Sequence, residues 1–233
     1  MIPGMQIRVL CYSAAIRCVL CWIVAWLPLL APLQAKYRAR PYVPNSIGSY
    51  PARLTSEGIT IAVEPLLTDA LAAKVFDKDD IVARGILPLA VIISNDNSFA
   101  VDVDASSIEL IVKDNRVLPV GPDVAIQRIF QWKLPPQEVR VPSPVPFPTV
   151  VIYKSNADAF DDFARKHLGL KKVEPKSLAA GFIYLPVTSA ADVRRNLAEA
   201  RIYIPKLYRD DTGGRMMFIE IDLKPALEAS PEK

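Results

Sequence analysis

Residues Ile86-Leu87-Pro88-Leu89-Ala90-Val91-Ile92-Ile93 form an unbroken apolar run that turns β-branched towards its end. A run of this length without polar alternation predicts a strand covered on both faces. Pro88 lacks the donor for one ladder, which places the start of that strand at an edge or a bulge. Asn95-Asp96-Asn97-Ser98 follows as a turn, and Phe99 to Val103 alternates back as its partner strand. Upstream, Ile59 to Glu64 alternates apolar with smaller or polar side chains, the pattern of a strand with one buried face. Between these strands Thr68 is placed to cap a short helix over Asp69 to Phe76, with Leu67, Leu71 and Val75 on one stripe.

Downstream, Ile108 to Val112 and Arg116 to Leu118 flank Lys113-Asp114-Asn115, a hairpin loop whose Asp and Asn tolerate left-handed backbone. Pro122 suits the first turn of a helix striped by Ile126, Ile129 and Phe130, which Pro135 and Pro136 end. Residues 141–148 (VPSPVPFP) hold Pro at alternate positions and predict an extended, polyproline-like crossover. Asn156 to Leu168 is the clearest helix: Asp158, Asp161 and Asp162 sit at its start, Arg165, Lys166 and His167 at its end, and Gly169 stops it. Asp161–Arg165 and Asp162–Lys166 are i,i+4 pairs worth ~0.2–0.5 kcal/mol each. Ala180 to Leu185, Ala200 to Leu207 and Arg215 to Leu223 complete the strands, with Ser189 capping a short helix over Ala190 to Ala198. Roughly eight short strands at hairpin spacing predict a mainly β chain, an antiparallel immunoglobulin-like β-sandwich with a few inserted short helices. The expected division is a signal peptide or membrane anchor over 1–35, a linker over 36–57, the sandwich over 58–224 and a flexible tail over 225–233.

The stretch Phe76 to Asn95, with Gly85-Ile86-Leu87-Pro88 ahead of an apolar strand and an Asn-Asp turn, is similar to a pattern in uncharacterised exported bacterial proteins. There a Gly-hydrophobic-hydrophobic-Pro strand opens a β-sandwich, and a late Gly-Phe-x-aromatic strand, here Gly181-Phe182-Ile183-Tyr184, follows. The resemblance covers about 60 residues; it implies a sandwich resident in the cell envelope and brings no catalytic residues.

Residues 18–35 (CVLCWIVAWLPLLAPLQA) carry no charge, follow Arg8 and Arg17, and end on Leu33-Gln34-Ala35. That is the layout of a secretory signal cleaved after Ala35, and Pro28 and Pro32 favour it. The run also meets the ~17–25 residues that span a bilayer, and Lys36, Arg38 and Arg40 follow at once, so a retained inner-membrane anchor is the alternative. Both place the body outside the cytoplasm, in the periplasm or beyond. Cys11, Cys18 and Cys21 all precede Ala35, and none has the small predecessor that lipoprotein processing needs. A mature chain without cysteine must be held by its core.

Of the 233 residues, 51% are hydrophobic and 23% charged, which excludes a disordered chain and a multi-span transporter. The 21 prolines make up about 9% of the chain where roughly 5% is typical. Setting Arg8 and Arg17 aside from the 28 Lys and Arg leaves 26 bases against 25 acids. That balance argues against an electrostatic grip on nucleic acid or on an anionic membrane surface.

His167 is the chain's one histidine. As a general base it would work beside Asp161 or Asp162; at the end of a helix it reads instead as a dipole-matching cation. Asp96, Asn97, Asp102 and Asp104 bracket one turn, and Asp77, Asp79 and Asp80 form a second acidic cluster. Calcium uses such oxygens, but neither spacing matches an Asp-x-Asp-x-Asp-Gly loop. No catalytic, cofactor or metal residues are therefore assigned, no cofactor is implied, and no enzymatic activity is expected. The function expected is an exported binding or scaffold module acting on an envelope protein through a sheet edge or loops. The alternatives are a membrane-anchored structural subunit held by residues 18–35 and, behind it, a hydrolase built on His167 or a carboxylate pair.

Overall fold

The computed structural model of the chain describes residues 37–130, 157–187 and 190–230. Its first half runs β1 (Arg53–Ser56), β2 (Ile59–Pro65), α1 (Asp69–Val75), β3 (Ile86–Asn95), β4 (Val101–Asp104), β5 (Glu109–Val112), β6 (Asn115–Val117) and α2 (Pro122–Ile129). Its second half runs α3 (Ala157–Lys166), β7 (Leu170–Val173), β8 (Ser177–Pro186), α4 (Ala190–Leu197), β9 (Ala200–Ile204), β10 (Leu207–Arg209), β11 (Ile219–Asp222) and α5 (Lys224–Ala229). The strands form three antiparallel sheets, ordered β1-β2-β3-β8, β10-β4-β7 and β11-β9-β5-β6.

The apolar run is the middle of the first sheet, and both of its faces are covered as its composition demands. Leu87, Leu89, Val91 and Ile93 point into one core with Val101, Val103, Ile202, Ile204, Leu207, Ile219 and Ile221 of the other two sheets. Ile86, Ala90 and Ile92 point the other way, into a second core with Ala72, Val75, Ile126, Ile129, Ala159 and Phe163 of α1, α2 and α3. The chain is thus layered: helices, a central sheet, then the two smaller sheets. Each such fully buried Leu, Ile or Val is worth about 1.5–3 kcal/mol. Local signals also hold. Thr68 Oγ1 accepts from Leu71 N–H at 3.2 Å to cap α1, and Pro122 occupies the first turn of α2. The β5–β6 hairpin turns at Lys113-Asp114, with Lys113 rather than Asp114 or Asn115 in the left-handed region.

Several expectations are corrected. Phe99 to Val103 does not return beside β3; β4 pairs with β10 and β7. The cause is Asn95, whose buried amide donates to Phe99 O (2.8 Å), Val173 O (3.1 Å) and Glu174 O (3.3 Å), steering the chain into the second sheet. Pro88 lies in an interior strand. Its partner Tyr184 turns its carbonyl outwards to Val120 N–H, so the pair exchanges no ladder bonds and Pro88's missing donor faces the β2 side. There Pro88 O still accepts from Leu66 N–H at 3.0 Å, one residue past the Pro65↔Leu89 pair, so the proline costs the ladder only the return bond at its end.

Residues 37–57, expected as a linker, belong to the fold: Tyr37, Tyr50 and Ala52 are buried and β1 pairs with β2. The tail is folded as far as Ser230, as α5 buries Ala226 and Leu227 and Arg194 donates to Leu227 O and Ser230 O. The Ala200–Leu207 strand splits at Pro205, which cannot donate to a ladder. The 1–35 segment, the Pro135-Pro136 helix stop, residues 141–148 and the Ser189 cap lie outside the described residues. Among those described, no helix is long and apolar enough to cross a membrane.

Candidate functional site

A buried polar cluster ties Tyr37 to α3. The stripe that α3 buries runs through Ala159, Asp162, Phe163 and Lys166, so an acid and a base enter the core on an apolar face. Asp162 Oδ2 accepts from Lys166 Nζ at 2.6 Å and from the Tyr37 hydroxyl at 2.6 Å. Lys166 Nζ also donates to Val75 O at 2.8 Å, at the C-terminus of α1, and stands 4.8 Å from the Phe76 ring centre. Burial, with Arg165 and Arg40 nearby, pulls the Lys166 ammonium below its ordinary value against the opposing effect of Asp162. Burial first, and then the bond to Asp162, push the Tyr37 phenol far up, so its proton stays on the oxygen. The Asp162–Lys166 spacing is legible in sequence, but as an exposed pair; that it lies on the Ala159/Phe163 stripe is the signal of its burial.

His167 sits beside this cluster without joining its charges. Its backbone bridges to Phe182 and its ring stacks on Tyr184 with centroids 5.9 Å apart. Burial lowers its pKa, which favours a neutral imidazole over the dipole-matching cation expected from its position. Asp162, the carboxylate that would orient it as a base, is engaged by Tyr37 and Lys166, while Asp161 is exposed.

The acidic loops do not converge. Asp77 accepts from Arg40 and from Arg38 N–H, each at 2.8 Å. Burial alone would raise the Asp80 pKa, but the bonds from Lys78 and Arg84 outweigh it and hold the carboxyl below its usual range. Asp79 is exposed, with Lys78 Nζ 3.9 Å away. Asp104 accepts from Ser106 N–H and Oγ, Asp102 pairs in register with Lys172 and Tyr208, Asp96 offers its carbonyl to Lys176, and Asn97 donates to Glu57 O. Among the described residues no group of three or more His, Cys, Asp or Glu is placed to hold a metal.

The central sheet treats its two edges differently. Along β8, Val120 N–H bonds Tyr184 O at 2.8 Å and Leu168 N–H bonds Phe182 O at 2.9 Å, so that edge is covered over Phe182 to Tyr184. On the opposite edge, Val63 N–H bonds Ala52 O at 2.9 Å, which fixes the phase of the β1–β2 ladder. Leu54 and Ser56 therefore exchange bonds with β2, and Arg53 and Thr55 turn their backbone N–H and C=O outwards. Arg53, Leu54 and Thr55 are exposed, as are Met217 and Phe218 just before β11, whose Met217 N–H reaches Glu57 of the β1–β2 turn.

No family model matches the chain, and no curated protein matches it at a significant level. Among solved structures it is similar to a Bacillus subtilis protein described as a "putative lipoprotein (ycdA)", at 10% identity and a TM-score of 0.36. The likeness covers 75% of this chain and 39% of that one, so this chain spans well under half of that structure's length, and the description stays with that protein.

Proposed function

We propose that the chain is an exported, non-enzymatic binding or scaffold module of the bacterial cell envelope, built on an immunoglobulin-like β-sandwich, that takes a protein partner along β1. One observation carries this: the central sheet covers its β8 edge at Phe182 and Tyr184 with Leu168 and Val120, whereas among the described residues no backbone group bonds the outward main chain of Arg53 and Thr55 on β1. An open edge accepts a partner's extended segment as an added strand, with backbone bonds giving affinity and side chains such as Leu54 giving selectivity. Support for export comes from the basic, apolar and Ala-ended layout of residues 1–35.

Thr55 opposes Thr60 in a pair that exchanges no backbone bonds, so Thr55→Pro removes an outward donor and leaves the β2 ladder intact. Thr55→Val keeps that donor and loses the same 2.8 Å side-chain bond to Thr60. With a photo-crosslinking residue at Leu54 of the full chain in cells, the expected adduct is lost in Thr55→Pro and kept in Thr55→Val. An adduct of equal strength in the proline variant, or none in any form, removes the β1 edge from the proposal.

A second reading, an anchored subunit of an envelope assembly, is favoured by one feature. Lys36 alone separates the charge-free run ending at Ala35 from Tyr37, which is bonded to Asp162.

A further inference from the structure

We infer that the β1 edge selects an extended segment with an acidic side chain where it faces Arg53 and apolar side chains where it faces Leu54 and Met217. The inference rests on the reading of that edge proposed above and adds the chemistry of its occupant. Side chains alternate between the faces of a strand. Leu54 pairs with Ile61 and stands on the side of the core shared with Ile202 and Ile219; Arg53 pairs with Ala62 and stands on the helix side.

On the Leu54 face, the stretch before β11 reaches the end of β1 through Met217 N–H and Glu57, and there Leu54, Met217 and Phe218 are 42%, 59% and 50% exposed. Large apolar side chains left in water beside an open edge are a surface that an added strand covers. On the other face Arg53 donates to Tyr50 O at 2.5 Å and is exposed, and among the described residues no carboxylate pairs with it. Of the acids nearby, Glu57 accepts from Met217 N–H, and Glu64, diagonal to Arg53 on β2, is half-buried. In antiparallel addition the residue facing Arg53 follows by one the residue facing Leu54 and by three the residue facing Ser56, towards Met217. The motif is therefore apolar-x-apolar-acid, and parallel addition reads it in reverse. A second copy paired antiparallel about Leu54 would set two Arg53 side chains on one face, so charge favours an acid-bearing partner over self-association.

The test uses the full chain and dye-labelled peptides built on Val-Thr-Val-Glu, the same with Lys for Glu, and both in reversed order. Binding is read by fluorescence anisotropy at low ionic strength, where surface charge is least screened. In one of the two orders the acidic peptide is expected to bind about threefold to fivefold more tightly than its Lys counterpart. Arg53→Glu inverts that preference, Arg53→Gln removes it, and Thr55→Pro abolishes binding of both peptides. Arg53 is exposed, so the unfolding midpoint of each variant serves as a check on its fold. A preference that survives Arg53→Glu, or a dimer of the chain that Thr55→Pro dissolves while no peptide binds, overturns the inference. Equal binding of the acidic and Lys peptides that Thr55→Pro abolishes overturns it as well but leaves the edge as a binding site, so the two proposals fail separately.

Discussion

The Tyr37 hydroxyl donates a 2.6 Å hydrogen bond to Asp162, joining residues 125 apart, and both partners are buried. Tyr37 is thereby fastened to the helix layer, and Asp162 is shared with Lys166. A charge buried in this way is stabilising only while its partners remain, because an unpaired ion in the core costs more than the pair contributes.

Removing the shared acceptor is therefore the severe change. Asp162→Ala strands Lys166 and the Tyr37 hydroxyl and is expected to cost about 3–5 kcal/mol, whereas Tyr37→Phe removes one bond to a charged group and costs about 1.5–3 kcal/mol. Urea unfolding of both variants checks the order; equal losses would mean that Asp162 does not organise the cluster.

Asn95→Ala leaves the carbonyls of Phe99, Val173 and Glu174 without the amide that joins β3 to the second sheet. Of the three bonds the one to Val173 is buried, and a buried group left unsatisfied costs about 1–3 kcal/mol. The expected outcome is a large fall in the unfolding midpoint, with amide exchange rising first in β7. Exchange that rises uniformly instead would deny Asn95 its role as the hinge between sheets.

Gly181 has no room for a side chain: a Cβ there meets Leu168 Cα at 2.7 Å and Leu168 N at 3.0 Å. Leu168 is one of the two residues covering the β8 edge. Gly181→Ala is expected to cost about 1–3 kcal/mol, the range for overpacking, and to speed exchange at the Leu168 amide. An unchanged Leu168 amide would show that the backbone yields elsewhere.

His167 gives a pH dependence of known sign. Burial sets its folded pKa below the ordinary 6.5, so the unfolded chain binds the proton more readily. Its contribution is fully present above pH 6.5 and is lost as pH falls through the folded value. His167→Gln is expected to flatten stability against pH just below 6.5, measured by thermal melts across pH 5 to 7; a variant with the wild-type slope assigns that dependence to other groups.

Gly85 and Gly181 also show what the two short motifs of the resemblance do. Gly85 adopts φ +81°, and its carbonyl accepts from Val187 N–H at 3.0 Å and from Arg128 at 3.1 Å; Gly181 lets Leu168 lie against β8. Both needs are steric, so the glycines were legible as motif positions while their neighbours were not. His167 and the acidic loops were legible as candidates for chemistry, but whether they converge depends on partners far away in the chain. Tyr37 fell within the stretch expected as a linker, because a lone tyrosine among prolines has no periodicity to place it.

What the sequence determined by itself was local or repetitive. The double-sided burial of β3, the Thr68 cap, the Lys113-Asp114 hairpin and the amphipathic α2 and α3 each follow from side chains within a few residues of one another. Tertiary structure alone decided which sheet β4 joined, that Pro88 could stand in an interior strand, that residues 37–57 were fold rather than linker, and that Asp162 and Lys166 were buried. Those outcomes rest on single contacts such as Asn95 to Val173 and Tyr37 to Asp162. A single polar contact between distant residues leaves no periodic trace in the chain, since its energy appears only once packing has excluded water from both partners.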